Sequence, residues 1–317
     1  MKQVNTVLGT ISPQQLGGVL MHEHIFCSRF DRDFRVLDRR ALARRGQILL
    51  QAAKEHGIST ILDATPWDLH RDIPLMQEIS RLSGVQIIAC AGTYHFYRPE
   101  IDHFTAEAIA GKILDAFDHG FGDTGVRPGA IKCAVQDEIT PYHEKLLRAT
   151  AMAHRATGLP VITHSSQKTA LAQQDILLGE GVRPEMLIIG HTGDYCDLPL
   201  QTKLLSRGTY LGMDRTFQPE QRAHVLAELC GMGYAGQLML GHDRAVYMDF
   251  SRPKASALEV WNQQNDADTP QGRRLFLFLH DEILPKAQRE GVSQQAIDEM
   301  LRENPRRYFA GLPLNAR

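Results

Sequence analysis

The chain has 317 residues, a formal charge of −2, and contents of 43% hydrophobic and 23% charged residues. These proportions are those of a globular protein with a large core and argue against a disordered chain, and the even spread of Lys and Arg argues against a nucleic-acid partner. The first residues lack an apolar signal region and no stretch approaches the roughly 18 apolar residues of a membrane span, so we expect a cytoplasmic protein with no membrane partner.

Eight short apolar or β-branched segments recur along the chain and predict strands. In chain order they are "GGVLMHEH" from Gly17, "STILDAT" from Ser59, "VQIIACAG" from Val85, "GAIKCAV" from Gly129, "LPVITHS" from Leu159, "MLIIGHTG" from Met186, "GTYLGMD" from Gly208 and "QLMLGHD" from Gln237. Residues 1–16 precede the first strand and are expected to form a hairpin or cap.

Helical spacing fills the stretches between these strands, for example from Asp38 to His56, from Thr140 to Thr157 and from Pro219 to Met232. Thr140 is a candidate N-cap, with a proline at the first helical position. Alternating buried strands and helices predict an α/β protein with a parallel sheet covered on both faces. Eight such units favour a (β/α)8 TIM barrel over an open sheet, and no G-x-G-x-x-G motif indicates a dinucleotide site. We expect one domain over residues 1–317.

Two further segments follow the eighth strand. Ser251 to Gln271 is polar and predicts a long loop over the barrel mouth, where long loops are usually functional. Four residues in or near it, Tyr247, Met248, Phe250 and Trp261, either line a substrate pocket or only fold the loop onto the barrel. The tail predicts two closing helices, the first ended by Gly291 and the second capped by Ser293.

The five cysteines offer no separate chemistry. Their number is odd and no C-x-x-C pair occurs, so the sequence supports neither a disulfide framework nor a cysteine zinc site. We expect them to be reduced and to behave as small hydrophobic residues.

The first predicted strand contains the run "LMHEHIF". Because strand side chains alternate, His22 and His24 share one face and Glu23 points to the other. Two imidazoles side by side suit a cation such as zinc, but an H-x-H motif arises by chance too often to be evidence alone.

The other strands supply further evidence for a metal site, because the carboxyl ends of barrel strands converge on one mouth. The polar residues at those ends are His22, His24, Lys132, His164, His191 and Asp243.

Lys132 is the unusual member of this set. Burial and nearby cations would lower the pKa of its amine and leave it neutral. A neutral amine takes up carbon dioxide to form a carbamate, whose two oxygens can bridge two metals. We therefore predict two divalent cations per chain and an N6-carboxylated Lys132.

The motifs "GGVLMHEHI", "GVRPGAIKCAV", "PVITHSS", "IIGHTGD", "LGHD" and "ENPRRYF" resemble those of the phosphotriesterase family of the amidohydrolase superfamily, in family order and over nearly the whole chain. The resemblance implies a buried metal on His22, His24, Lys132 and Asp243, and a more exposed metal on Lys132, His164 and His191. It also implies a homodimer. Zinc is the expected ion, with iron, cobalt or manganese compatible with the same ligands.

Within the family, two residues point to one branch. Tyr94 in "GTYHFY" and Arg215 in "GMDRTF" are similar to residues of the phosphotriesterase-like lactonases, where the tyrosine sits beside the metals and the arginine lines the pocket. In true phosphotriesterases a histidine stands at the position of Arg215. The chain also departs from the family pattern at Val19, where threonine is usual, and lacks a glycine- and tyrosine-rich stretch before the last helices.

The expected reaction is ester hydrolysis by a hydroxide that bridges the two metals. Asp243 would accept the proton of this hydroxide, and Asp194 would be a second acceptor or only a structural partner of Arg215. Arg215 is always protonated and would orient the substrate or stabilise charge.

Lactones are the favoured substrates, with weaker action on phosphotriesters and aryl esters. The alternatives are an organophosphate triesterase, an amide hydrolase, and a barrel that binds a ligand without catalysis. Tyr94 has packing as its alternative role, and His242 is expected to point away.

Overall fold

The computed structural model describes residues 2–30, 34–215, 218–250, 254–264 and 267–314. Its strands are β1 (Val4–Thr6), β2 (Gly9–Ile11), β3 (Gly18–Ser28), β4 (Ile58–Asp63), β5 (Gln86–Gly92), β6 (Ala130–Ala134), β7 (Val161–His164), β8 (Leu187–Ile189), β9 (Tyr210–Met213), β10 (Leu238–Leu240) and β11 (Ala245–Asp249). The first two pair antiparallel as a hairpin at the start of the chain.

The eight strands β3 to β10 are parallel, and each pairs with the next in chain order. The ring closes where the amide of Asp243, just after β10, donates to the carbonyl of His22 in β3 at 2.9 Å. Helices surround this sheet, so the predicted (β/α)8 barrel is confirmed.

The strand β11 was not predicted. It pairs parallel with the upper part of β3, with Ala245 opposite His24 and Asp249 opposite Ser28. It can do so because β3, with 11 residues, extends beyond the other barrel strands. A run as short as "AVYMD" becomes a strand only because a partner edge is available beside it.

Two apolar layers hold the barrel. Inside the ring, side chains such as Met21, Leu62, Ile162 and Met239 pack against one another and close the bottom of the barrel. A larger layer lies between the outward faces of the strands and the surrounding helices. The interior is therefore a packed core, and only the upper ends of the strands are left to carry polar side chains.

The helices are α1 (Arg39–Glu55), α2 (Ile73–Ser83), α3 (Pro99–Asp102), α4 (Ala106–His119), α5 (Pro141–Thr157), α6 (Ala170–Gly179), α7 (Leu198–Leu205), α8 (Pro219–Gly231), α9 (Ala257–Asn262), α10 (Pro270–Arg273), α11 (Leu284–Arg289), α12 (Gln294–Asp298) and α13 (Asn304–Ala310). Three of them, α1, α5 and α8, confirm predicted helices to within a residue or two. The side chain of Thr140 accepts from the amide of His143, as expected of an N-cap.

The long loop predicted from Ser251 to Gln271 needs correction. It contains α9, whose N-cap Ser256 accepts from the amide of Glu259, and the start of α10. Residues 251–253 and 265–266 of that segment lie outside the described residues. The reason for the error is local: a capping box starts a helix even in a polar segment.

The tail forms the two predicted helical stretches, over residues 279–289 and 294–310, each containing a π-helical turn. Ser293 caps the second, accepting from the amide of Ala296. Within the described ranges, no helix combines the length and the apolar character needed to cross a bilayer.

Candidate metal centre

The six predicted ligands meet at the mouth of the barrel. His22 and His24 lie in β3, Lys132 in β6 and His164 at the end of β7. His191 follows β8 by two residues, and Asp243 follows β10 by three. All but Asp243 are buried, and the Asp243 side chain is only 17% exposed.

Their polar atoms lie within a few ångströms of one another. His22 Nε2 is 3.0 Å from Lys132 Nζ and 3.7 Å from Asp243 Oδ1. His24 Nε2 is 3.1 Å from Asp243 Oδ1, and His191 Nε2 is 2.7 Å from His164 Nδ1. His22, His24 and Asp243 form one group of the right size for a cation, with two strands, β3 and β10, contributing.

Asp214, which directly follows β9, was not among the predicted site residues. Its Oδ2 lies 2.7 Å from His22 Nδ1 and its Oδ1 lies 2.6 Å from His191 Nδ1. Oδ1 also accepts from the amide of His191 at 3.0 Å. One carboxylate thus orients a ligand from each predicted metal and leaves both Nε2 atoms facing the centre. Asp214 could have been identified from the sequence by its position, because it stands at the end of a predicted strand, directly before Arg215.

Asp214 also falls in a second His/Asp group of metal-binding size, with His22 and His191. Asp214 contacts the Nδ1 atoms of both histidines, so hydrogen bonding explains why these three residues lie together. The two histidines hold the pKa of Asp214 far below its usual value against the opposing effect of burial. The carboxylate therefore stays charged, as an orienting partner requires.

His24 and His164 also contact neighbouring polar side chains. His24 Nδ1 lies 2.8 Å from the hydroxyl of Thr65, whose amide donates to Asp63 at 2.9 Å. His164 Nδ1 lies 3.2 Å from the hydroxyl of Tyr94, and His164 Nε2 contacts Gln136. The ring of Tyr94 also packs edge-on against His164, which places Tyr94 beside one of the predicted ligands.

Lys132 is completely buried. Its Nζ contacts His22 Nε2 and, at 3.5 Å, the carbonyl of Thr163, and no carboxylate of the described residues lies within ion-pair distance. Burial lowers the pKa of its amine. A fully buried ammonium without an adjacent anion is costly, so the site favours a neutral amine or an added negative group.

The donor set fits divalent cations. Burial lowers the pKa of His22 to about 3 and that of His164 well below its usual value, so both rings are neutral and have a lone pair to offer. Asp243 is ionised: burial would raise its pKa, but His191 and the hydrogen bond from His24 hold it well below its usual value. Neutral imidazoles facing one carboxylate at these separations are the ligands expected of zinc and related ions.

Arg215 connects this centre to a second carboxylate. Its Nε donates to Asp243 Oδ2 at 2.9 Å and its Nη1 donates to Asp194 Oδ2 at 2.7 Å. Asp194 is held from the other side by Arg222 in α8, another residue that sequence reasoning missed. Asp194 is thus a partner of two arginines, which favours the structural alternative for it over a free proton acceptor.

The loop aromatics serve mainly to pack the mouth. Tyr247 is buried and stacks on Phe26 at 5.0 Å, and Trp261 packs under the guanidinium of Arg45 at 5.2 Å. The ring of Phe250 lies 5.8 Å from the ring of Tyr94, at the wall of the centre. The packing alternative therefore holds for Tyr247 and Trp261.

Comparison with known proteins agrees with this geometry. The model of the phosphotriesterase family matches residues 2–309. The chain belongs to the phosphotriesterase family. Members of this family are binuclear metal-dependent hydrolases, and this chain has a His/Asp cluster that could hold a metal.

Relatives in this family include a "Phosphotriesterase homology protein" of Mycobacterium tuberculosis, 32% identical with 98% of both chains covered. An "Aryldialkylphosphatase" of Saccharolobus solfataricus is 28% identical, with 95% of this chain and 97% of the relative covered. An "N-acetyltaurine hydrolase" of Danio rerio is 25% identical, with 97% of both covered. The family therefore contains hydrolases with different substrates.

Proposed function

We propose that the protein is a binuclear metal-dependent hydrolase that cleaves lactones, with weaker action on phosphotriesters and aryl esters. The observation that carries this choice is the position of Arg215, which lies at the mouth between Asp243 and Asp194. These carboxylates raise the pKa of its guanidinium despite the opposing effect of burial, so it is a permanent cation. When a lactone ring opens, negative charge develops on the carbonyl oxygen and then on the leaving alkoxide, and a cation at the mouth stabilises that charge.

We further propose the ligand roles. His22, His24, Asp243 and N6-carboxylated Lys132 would hold the buried cation, and Lys132, His164 and His191 would hold the other. Zinc is the favoured ion, with iron, cobalt and manganese as alternatives. When bound, two such cations lower the pKa of water and polarise the bond under attack.

The chain's own groups complete the reaction. Asp243, ionised and fixed by Arg215, accepts the proton of the attacking water and passes it to the leaving alkoxide. Tyr94 keeps its proton because burial raises the pKa of its phenol well above the usual value, so its hydroxyl is a hydrogen-bond donor at the centre. Asp194 holds Arg215 in place.

Two relatives motivate alternatives on the same site. The aryldialkylphosphatase relative suggests a phosphotriester as the main substrate, and the N-acetyltaurine hydrolase relative suggests an amide. The non-catalytic alternative is disfavoured by a ligand set that includes His22, His24 and Asp243 in mutual contact range. Failure of the purified protein to bind any transition metal would restore it.

A substrate panel tests the proposal. Metal-loaded enzyme is assayed with γ- and δ-lactones of several chain lengths, a dialkyl aryl phosphotriester, an aryl ester and an N-acyl amide. We expect kcat/KM for the best lactone to exceed the others by about tenfold or more, equivalent to about 1.4 kcal/mol of transition-state stabilisation. Asp243→Asn, purified in parallel, should lose all these activities, which controls for contaminants. A higher value for the phosphotriester or the amide would overturn the lactonase assignment.

We also propose a cytoplasmic homodimer. Cell fractionation tests the location, and sedimentation at micromolar concentration tests the assembly. A monomer under those conditions would contradict the dimer.

A further inference from the structure

Glu23 stands between the two histidines of β3 and faces away from them. Its side chain is completely buried and its carboxylate accepts three hydrogen bonds. Oε1 accepts from the amide of His242 at 2.7 Å and from His242 Nδ1 at 3.0 Å, and Oε2 accepts from the amide of Arg244 at 3.2 Å. All three bonds therefore go to the two residues that flank Asp243.

Asp243 needs such support, because its backbone is in the left-handed region with φ of 53°. That conformation costs a residue with a Cβ roughly 1–2 kcal/mol. Two backbone bonds help to hold it, from the Asp243 amide to the His22 carbonyl at 2.9 Å and from the His24 amide to the Arg244 carbonyl at 2.8 Å. The three residues of "HEH" thus hold the three residues 242–244.

His242 extends the contact beyond the loop. Its Nε2 accepts from the amide of Leu279 at 3.2 Å, so its proton is on Nδ1, which donates to Glu23. The ring is the neutral link between the carboxylate and the start of the closing helices. This agrees with the expectation that His242 points away from the metals.

We propose that Glu23 is a positioning residue: its carboxylate holds residues 242–244 in the left-handed turn that aims Asp243 into the metal centre. A carboxylate is required because three donors converge on two oxygens, and each oxygen must be an acceptor. A glutamine would present an NH2 group to one of these donors. A small rotation of the turn would then move the Asp243 oxygens relative to His24 and Arg215, which they now contact at 3.1 and 2.9 Å.

Glu23→Gln tests this role, with Asn304→Ala as the matched control. Asn304 is also fully buried and holds the opposite end of β10, donating to the carbonyls of Ala235 and Leu238 at 2.8 Å. Both variants lose hydrogen bonds at one end of the same strand, but only Glu23→Gln disturbs the end that carries Asp243. The readouts are thermal stability, the rate of metal loss to a chelator, and kcat and KM.

We expect Glu23→Gln to lose metal about tenfold faster than the wild type and to lose about 10–100-fold in kcat. KM should change by less than about threefold, because substrate binding is not altered. Asn304→Ala should lose thermal stability while it keeps wild-type metal retention and kcat. Glu23→Asp, one methylene shorter, should show the same direction of change and serves as the test if Glu23→Gln does not fold.

The inference rests on the proposed function only for its kinetic readout, because chelator resistance can be measured without a substrate. Wild-type metal retention in a folded Glu23→Gln or Glu23→Asp protein would overturn it. Equal losses of metal in Asn304→Ala would also overturn it, since the effect would then be one of general stability. If no lactone is hydrolysed by the wild type, the proposed substrate fails and the chelator result still decides the role of Glu23.

Discussion

Lys132 lies in surroundings that are unusual for a lysine. It is among the largest completely buried side chains, and its Nζ meets a histidine nitrogen and a backbone carbonyl. Such surroundings disfavour an ammonium, but they suit an amine that reacts with carbon dioxide. The proposed carbamate would supply the negative charge that the described contacts of Lys132 lack.

We therefore predict that Lys132→Ala folds but holds metal poorly and loses turnover by orders of magnitude. Gentle mass spectrometry of the wild type should find about 44 Da of added mass on Lys132. Added bicarbonate should accelerate assembly of the metal-free enzyme, and small carboxylic acids should partly restore the variant. Full metal content with unchanged activity in Lys132→Ala would refute the bridging role.

Arg215 is predicted to control substrate preference. Arg215→His removes a cation that contacts Asp243 and Asp194, while the six proposed ligands stay in place. The ratio of lactone to phosphotriester kcat/KM should fall by about tenfold or more, with metal content unchanged. Arg289→His at the exposed end of α11 is the control. Loss of metal with an unchanged ratio would show that Arg215 acts mainly by supporting the ligands.

At the scale of elements, close strand packing sets the position of Lys132. Gly92 ends β5 with φ of 109°, and a Cβ there would overlap the carbonyl oxygen of Lys132 in β6. A side chain at this position would therefore be strained and would push the two strands apart.

We predict that Gly92→Ala lowers the free energy of unfolding by about 2–4 kcal/mol. Gly111→Ala, within helix α4, should instead raise it by about 0.5–1 kcal/mol, because nothing lies within 4 Å of the added Cβ. Urea unfolding of both variants without metal measures the two effects. Equal effects of the two substitutions would refute the packing argument.

At the scale of the whole molecule, buried histidines make stability depend on pH. Burial lowers the pKa of His22, His242 and His280 to about 3, against about 6.5 in an unfolded chain. Between these values the unfolded chain binds more protons than the folded one. The free energy of unfolding therefore falls as the pH falls from about 6.5 towards 3, by up to about 1.4 kcal/mol per pH unit for each histidine.

His280 permits a test away from the metal ligands, since both its ring nitrogens are buried without a hydrogen-bond partner among the described residues. His280→Leu should reduce the pH dependence of unfolding and stabilise the metal-free protein at pH values near 5. His119→Gln, on the exposed end of α4, should leave that dependence unchanged. If the free energy of unfolding of His280→Leu depended on pH as strongly as that of the wild type, His280 would not be a source of the pH dependence.

Metal loading should raise the melting temperature of every variant that retains the centre.

Much of the fold could be predicted because it is encoded locally. Eight apolar strand segments alternate with helical ones, and caps such as Thr140 mark where helices begin. The direction of parallel barrel strands then brings His22, Lys132 and Asp243 to one mouth, although they are far apart in the chain. Strand β11 and helix α9 could not be predicted, because each is short and begins within an otherwise polar stretch.

The sequence by itself determined the barrel, the family motifs and the identity of the six candidate ligands, because strand periodicity and chain order specify which side chains share the mouth. Only the tertiary structure decided the supporting contacts of Asp214 with His22 and His191, of Arg222 with Asp194, and of Glu23 with His242. The reason is physical: a hydrogen bond depends on positions within a few tenths of an ångström between residues distant in the chain. No local pattern specifies such distances, and the packing of the whole barrel does.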